Sequence, residues 1–289
     1  MYTTRQNLRH GLLFSLPFLV VYGWFLVFPI VYGFIISFHK WDILSRRVFV
    51  GFRNYLDLFQ DEKFYSSLWH TTEFVLLTTP TIIVAGFLMA LIVTSRFPLR
   101  KTAENVFFIP YIFSITVVAS LWAWLFQKNY GLFNQVWSAL GGQPIGWLTD
   151  ERFAMKSIAL TTLWWTAGFN MVLFTAGIKQ IPDALHESAY IDGANKVQVL
   201  FRITIPLLRP TIILVFILQV IASFKVFGQV YVMTGGGPYG STRVLIQYIY
   251  EAGFSYYTMG YASAMAYILF FIILLISLLQ FRLLSGRSS

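Results

Sequence analysis

Six stretches of this chain, at residues 11–38, 70–95, 104–126, 155–178, 207–233 and 259–284, are apolar over about 20 residues or more, the length a helix needs to cross a hydrocarbon core about 30 Å thick. Lipid offers backbone N–H and C=O groups no partner, so each stretch is expected to close its own hydrogen bonds as a helix. The fold class that follows is all-α: a polytopic membrane protein with six transmembrane helices, residues 1–289 forming one transmembrane domain. The first stretch is overlong and carries Pro17 and Pro29, which predicts a kinked or tilted span. Arg5 and Arg9 precede it, it is longer than a signal-peptide core, and no small-x-small cleavage site follows closely, so it reads as a retained span.

Composition agrees. Only 11% of the 289 residues are charged, whereas a soluble domain carries about a quarter. The net charge of +9 is spread singly between apolar runs and forms no basic stripe of the kind a nucleic acid requires. Lys and Arg divide 11 to 9 between the two sides, with Lys225 inside a span. The short SRFPLRK loop and the N-terminal arginines lie close to span ends, where such charges weigh most, and they place both termini in the cytoplasm. Trp41, Trp69, Trp137 and Trp147 fall near outer span ends, as interfacial anchors do. The pair Trp164 and Trp165 sits midway along the fourth span, either packed in the bundle or walling a cavity.

Sequence patterns for catalysis are missing. GGGPYGST, at residues 235–242, spaces its glycines like a phosphate-binding loop, but Ser241 stands where a Lys must reach the terminal phosphates, so it reads as a tight external turn. The histidines, at 10, 39, 70 and 186, show no paired metal spacing, and the chain has no Cys. His70 and Glu73 lie one turn apart at a span end, where snorkelling explains them. No Ser, His and Asp set has a G-x-S-x-G context.

The segment ESAYIDGANKVQVLFRITIPLLRP, residues 187–210, is polar text between two apolar spans. Pro182 suits the first position of a helix; Leu185 and Ala189 share one face and Glu187 another; Asp192 and Gly193 read as a turn. Val197, Leu200, Phe201 and Thr204 form a stripe on a second helix, and Pro206 and Pro210 break the chain before the next span. The product is a helix, a Gly elbow and a helix. Periodicity leaves open whether it rests on lipid headgroups or on another protein.

E-S-A-Y-I-D-G-A at residues 187–194, nine residues after Gly193, and then I-T-I-P-L-L-R-P resemble the signature loop of permease subunits of binding-protein-dependent ABC importers, whose pattern is E-A-A, three residues, G, nine residues, I-x-x-P. Ser188 replaces the first Ala with a similarly small residue. Further stretches are similar to the carbohydrate branch of that family: G-F-R-N-Y-L-D-L-F, F-I-P-Y, W-A-W-L-F followed by Gly131 and Asn134, I-P-D-A-L, F-K-V-F and M-T-G-G-G-P. The resemblance implies a type I ABC importer permease fold in a bacterial or archaeal inner membrane. It further implies that loop 179–206 couples the chain to a cytoplasmic ATPase: Ser188, Ala189 and Ala194 permit close approach, Gly193 the sharp exit, and Glu187 and Asp192 meet basic or N–H partners. A second permease subunit, expected as a heterodimer, two ATPase subunits that bind ATP and Mg, and an extracytoplasmic solute-binding protein are the implied partners. The chain itself is expected to need no cofactor and to catalyse nothing.

A carbohydrate path has several candidates. Lys225 within the fifth span is too costly to face lipid, and serves a substrate, an internal ion pair or a snorkelling position. Phe224, Gly228 and Gln229 surround it, with Gly228 expected to leave room for a ligand. Trp165 and Asn170 offer a stacking face and an amide, and Ser263 and Tyr267 lie four apart in the sixth span. A glycerol phosphate ester, a polyol or an acidic oligosaccharide would suit Lys225 better than a neutral sugar. An ion-coupled secondary transporter is the rival class, opposed by the lack of Asp or Glu well inside the spans.

Overall fold

The computed structural model describes residues 14–42, 46–95 and 98–285. Arg5, Arg9, residues 11–13 of the first expected span, and Arg96 and Phe97 of the SRFPLRK loop lie outside the described residues. In chain order the elements are α1 (Phe14–Ser37), the antiparallel hairpin β1 (His39–Lys40) and β2 (Val48–Phe49), α2 (Arg53–Leu58), α3 (Glu62–Thr94), α4 (Arg100–Ile112), α5 (Ile115–Leu125), α6 (Leu132–Ala139), α7 (Glu151–Lys179), α8 (Asp183–Ile191), α9 (Lys196–Leu207), α10 (Arg209–Phe224), α11 (Gly228–Met233), α12 (Leu245–Tyr250) and α13 (Met259–Ser285). Among the described residues, α1, α3, α7 and α13 are each long and apolar enough to cross a membrane, and the bent pairs α4 with α5 and α9 with α10 bring the total to six if each pair is one span.

The expected boundaries shift in three places. The second span begins at Glu62, not near residue 70, because Phe64, Ser67, Thr71, Phe74, Val75 and Thr78 continue one buried face through text that reads as polar loop. The third is broken by 98° between Ile112 and Ile115. There Phe113 is extended, and the Ser114 hydroxyl caps α5 by accepting the Val117 N–H at 3.4 Å. The fifth bends by 67° at Leu208, stops at Phe224 and resumes as the separate α11.

Two prolines are accommodated by the same device. A proline ring clashes with the carbonyl four residues before it. Before Pro29 that carbonyl belongs to Phe25, within a π turn at Gly23–Val27 where the Phe28 N–H reaches back to Gly23 O. Before Pro206 it belongs to Arg202, within a π turn at Leu200–Thr204 where the Ile205 N–H reaches Leu200 O. The wide turn makes room for the ring, and the helix continues.

The described residues form two compact units, those within 1–61 together with 249–270, and those within 62–248 together with 271–285. In the first, burial in α1 is confined to Ile36 and Ser37, and its remaining apolar side chains are exposed along the helix. The carbonyls freed at the end of α1 are met by Asn54, whose Nδ2 donates to Ser37 O at 2.7 Å and His39 O at 3.0 Å. The start of α13 docks there too: the Met259 N–H donates to Trp41 O at 2.9 Å, and the Tyr261 hydroxyl donates to Asp61 Oδ2 at 2.5 Å.

In the second unit α3 and α7 form the central pair. Gly86 of α3 faces Asn170 and Met171, Gly168 faces the Phe107 carbonyl of α4, and Gly177 faces Thr211 of α10. Small residues let helix backbones touch where lipid supplies no hydrophobic drive. Phe74, Trp122, Ile158 and Val230 fill one core and Ala90, Met171, Phe174 and Val215 another. The connection through α6 is tied by buried Asn134: its Nδ2 donates to Lys128 O at 3.1 Å and Ile145 O at 2.8 Å, while its Oδ1 accepts the Ile145 N–H at 3.0 Å and Trp147 Nε1 at 3.1 Å. Trp147 is thus a packed, hydrogen-bonded residue. Asp150 caps α7 through the Arg152 N–H at 2.9 Å; the paired Arg152 guanidinium and this backbone bond hold its carboxyl down at about 2.

A β-carbon at position 168 would stand 2.0 Å from the Phe107 carbonyl oxygen. Gly168→Ala is therefore expected to force α4 from α7 at a cost of about 2 kcal/mol or more. The check is the melting temperature of the purified protein in detergent; an unchanged value would show that the contact is not tight.

Candidate functional site

All the expected site residues except Ser263 and Tyr267 lie in the second unit, which offers two candidate surfaces. The first is the α8–α9 hairpin. Pro182 is the cap of α8, not its first residue, because its ψ of 129° is extended; Asp183 opens the helix and places a carboxylate where the helix dipole favours one. The helix ends in a Schellman motif: the Gly193 N–H bonds Tyr190 O at 3.1 Å, the Ala194 N–H bonds Ala189 O at 2.9 Å, and Gly193 takes a φ of +83°. Asn195 and Gln198 then form a reciprocal capping box that starts α9. His186 Nε2 and Thr204 Oγ1, 3.3 Å apart, join the two helices.

Local hydrogen bonds therefore fix the hairpin, yet every residue of α8 is at least partly exposed. Glu187, Ser188, Asp192 and Gly193 are exposed, Ala189 and Ala194 half-buried, and Ile191 is 86% exposed. A β-carbon at Gly193 would meet open space. Of the expected stripe on the second helix, Thr204 is buried and Leu200 half-buried, while Val197 and Phe201 are exposed; Val199, outside that stripe, is buried.

The second surface is a cavity of about 220 Å³ between α3, α4, α7, α10 and α11. Its aromatic wall comes from Tyr111, which stacks on Phe169 at 4.8 Å and lies 6.1 Å from Trp165. The opposite wall is neutral and polar. Asn170 Nδ2 donates to Thr166 O at 3.2 Å and to Gln219 Oε1 at 3.1 Å, and Gln219 Nε2 donates to Ser223 Oγ at 3.1 Å. Ser223 lies 3.1 Å from Thr78 Oγ1 and accepts from Thr79 Oγ1 at 3.4 Å, while Gln229 Nε2 donates to Thr162 Oγ1 at 3.2 Å. Trp165 also satisfies backbone, because its Nε1 donates at 3.1 Å to Phe113 O, a carbonyl left free by the break between α4 and α5. Trp164 packs instead on Trp122.

Of the expected path residues, Trp165, Asn170 and Gln229 come together here. Lys225 does not line the cavity: the helix stops one residue earlier, so Lys225 is an exposed C-cap, where a cation meets the free carbonyls of α10 favourably. Phe224 is buried away from it, and Gly228 presses on Ile115, 3.2 Å from where a β-carbon would sit, so its missing side chain admits α5 and not a ligand. Ser263 and Tyr267 belong to the other unit, where the Tyr267 hydroxyl donates to Ile30 O and its ring packs against Gly33. Sequence reading missed Tyr111, Phe169, Gln219 and Ser223. Gln219 carried a signal, an amide alone in the apolar run IILVFILQV, and Tyr111 lay within F-I-P-Y.

Comparison with known proteins adds the relationship. The family model described as binding-protein-dependent transport system inner membrane component matches residues 82–287. The probable ABC transporter permease protein YurN of Bacillus subtilis is 33% identical over 283 residues, 96% of either chain. The trehalose/maltose transport system permease protein MalF of Thermococcus litoralis is 34% identical over 257 residues, 88% of this chain and 85% of that one. A chain from the crystal structure of a bacterial ABC transporter involved in the import of the acidic polysaccharide alginate has the same fold, with a TM-score of 0.87 at 24% identity over 99% of both chains.

The Trp165 hydrogen bond gives a local test. Trp165→Phe keeps the aromatic wall and removes the donor to Phe113 O, which costs about 1 kcal/mol and speeds amide exchange around residues 113–117 about fivefold. Hydrogen exchange in detergent measures it; protection equal to wild type would mean that the break holds without Trp165.

Proposed function

The chain belongs to the binding-protein-dependent transport system inner membrane components, and we propose that it is the transmembrane subunit of an ATP-driven sugar importer, forming half of a translocation path with a second permease subunit. Both termini and the α8–α9 hairpin face the cytoplasm of a bacterium or archaeon. Two ATPase subunits bind ATP and Mg and seat the hairpin; an extracytoplasmic binding protein delivers the sugar. This chain contributes no catalytic group.

The observation that carries the reading is the hairpin: an element held rigid by a Schellman motif, a capping box and the His186–Thr204 contact, yet offering α8 to the outside along its length. Ordering a short exposed helix without burying it gains little by itself. A partner that covers Ile191 and meets Glu187 and Asp192 accounts for it. Closure of the ATPase dimer then moves α8 as a body, and its stiff junction to α9 passes the motion toward α10. The cavity, with stacking rings on one side and amides and hydroxyls on the other, supports sugar as the cargo: ring faces pack on aromatics while hydroxyls exchange hydrogen bonds.

The test is uptake by the assembled transporter in proteoliposomes. Glu187→Lys exchanges an attractive charge for a repulsive one, and Gly193→Asp projects a side chain from the elbow into space that only a partner would occupy. Each is expected to leave the chain inserted and to lower ATP-dependent uptake about tenfold or more, for Glu187→Lys the loss of one charge-assisted hydrogen bond and for Gly193→Asp a steric clash at the interface. Wild-type uptake in both variants would remove the hairpin from the coupling path, and uptake without ATP would remove the importer class.

A further inference from the structure

We infer that the cavity between α3, α4, α7, α10 and α11 takes an uncharged saccharide unit and rejects a carboxylate-bearing one, with Gln219 touching the sugar and Ser223 as the residue that positions Gln219. The inference rests on the reading that this cavity lies on the transport path.

Charge comes first. Among the described residues, the cavity lining carries no Asp, Glu, Lys, Arg or His. Lys225, the nearest cation in sequence, is an exposed helix cap outside the lining. A carboxylate entering this space would lose its water without gaining a counter-charge, which disfavours its binding strongly. A neutral sugar meets no such penalty, because each hydroxyl both donates and accepts and can match an amide.

The directions of the hydrogen bonds show which groups remain for a ligand. The Thr78 hydroxyl proton is spent on Phe74 O at 2.7 Å, so in the contact between Thr78 and Ser223 it is Ser223 that donates. Ser223 then accepts from both Gln219 Nε2 and Thr79 Oγ1, which fills its one donor and two acceptor places. At the other end the Thr166 carbonyl fixes Asn170 with its Nδ2 inward, so Asn170 can only donate to Gln219 and Gln219 must present its oxygen to Asn170. Two backbone carbonyls thus set the polarity of the whole row. Ser223 and the Asn170 nitrogen are saturated, and Gln219 retains one Nε2 proton for an occupant. Gln219 is 7% exposed and Ser223 3%, so a side chain that loses its orientation here has little water to turn to.

The experiment uses the assembled, nucleotide-free transporter in detergent without its binding protein, with maltotriose and trigalacturonate as probes of matched size. Binding is read as the tryptophan fluorescence change that disappears in Trp165→Phe. Maltotriose is expected to bind, and trigalacturonate at least about a hundredfold more weakly, the consequence of an uncompensated charge. Ser223→Ala is expected to weaken maltotriose about tenfold and Ser223→Thr, which keeps the hydroxyl, to restore it, whereas loss of packing alone would not be rescued by the bulkier residue. Gln219→Lys is expected to reverse the preference. Equal binding of both probes, or tighter binding of trigalacturonate, overturns the inference and leaves the cavity on the path. Binding of neither probe, while the same transporter reconstituted in proteoliposomes with its binding protein still imports sugar with ATP, overturns both the inference and the placing of the path here.

Discussion

A backbone amide away from water must find a partner within the protein, and this chain supplies one at several of the places where it leaves the regular helix. At Pro29 and Pro206 the preceding turn widens so that the helix goes on. At the break between α4 and α5 a serine caps the new helix and an indole satisfies one of the carbonyls left behind. Asn54 covers the end of α1, and Asn134 satisfies three backbone groups and the Trp147 indole around α6. Polar side chains in such a protein are first of all replacements for solvent.

The same economy produces the cavity. Where α3, α7 and α10 close on glycines, their backbones come too near for large side chains, and the polar groups of Asn170, Gln219, Ser223, Thr78 and Thr79 are left to satisfy one another. The break in the third span then turns Tyr111 to face Phe169 and Trp165, which supplies the aromatic side. Neither wall belongs to a single helix, and the site exists only because a bent span leaves room between straight ones.

Much of this was legible in the residues. Six apolar runs announced helices, and the hairpin was written out by Asp192, Gly193 and the prolines after it, since turn chemistry is local. The break at Phe113 was not legible, because F-I-P-Y-I-F-S is uniformly apolar up to its serine and hydropathy averages over a bend. Lys225 reads as lying inside the span for the same reason: an apolar window continues through residues 225–227 although the helix does not, and Lys225 is the C-cap of α10. Gln219 and Ser223 share a face of α10, but only the facing surfaces of α3 and α7 make them part of a row, and that is information about neighbours, not about sequence.

The π turn at Leu200–Thr204 also has a bearing on phase. One residue in a helix is a rotation of about 100°, so an extra residue absorbed in a wide turn lets the stretches before and after it keep their own faces. Val199 and Leu208, buried on either side, are thereby held inward together, though a regular helix would set them nine steps and half a circle apart. Removing one residue within the turn would keep that alignment and restore regular hydrogen bonds, but would drive the Pro206 ring onto the carbonyl four positions before it. The proline and the surplus residue are therefore a matched pair, and the length of this connector is as much a part of its design as its composition.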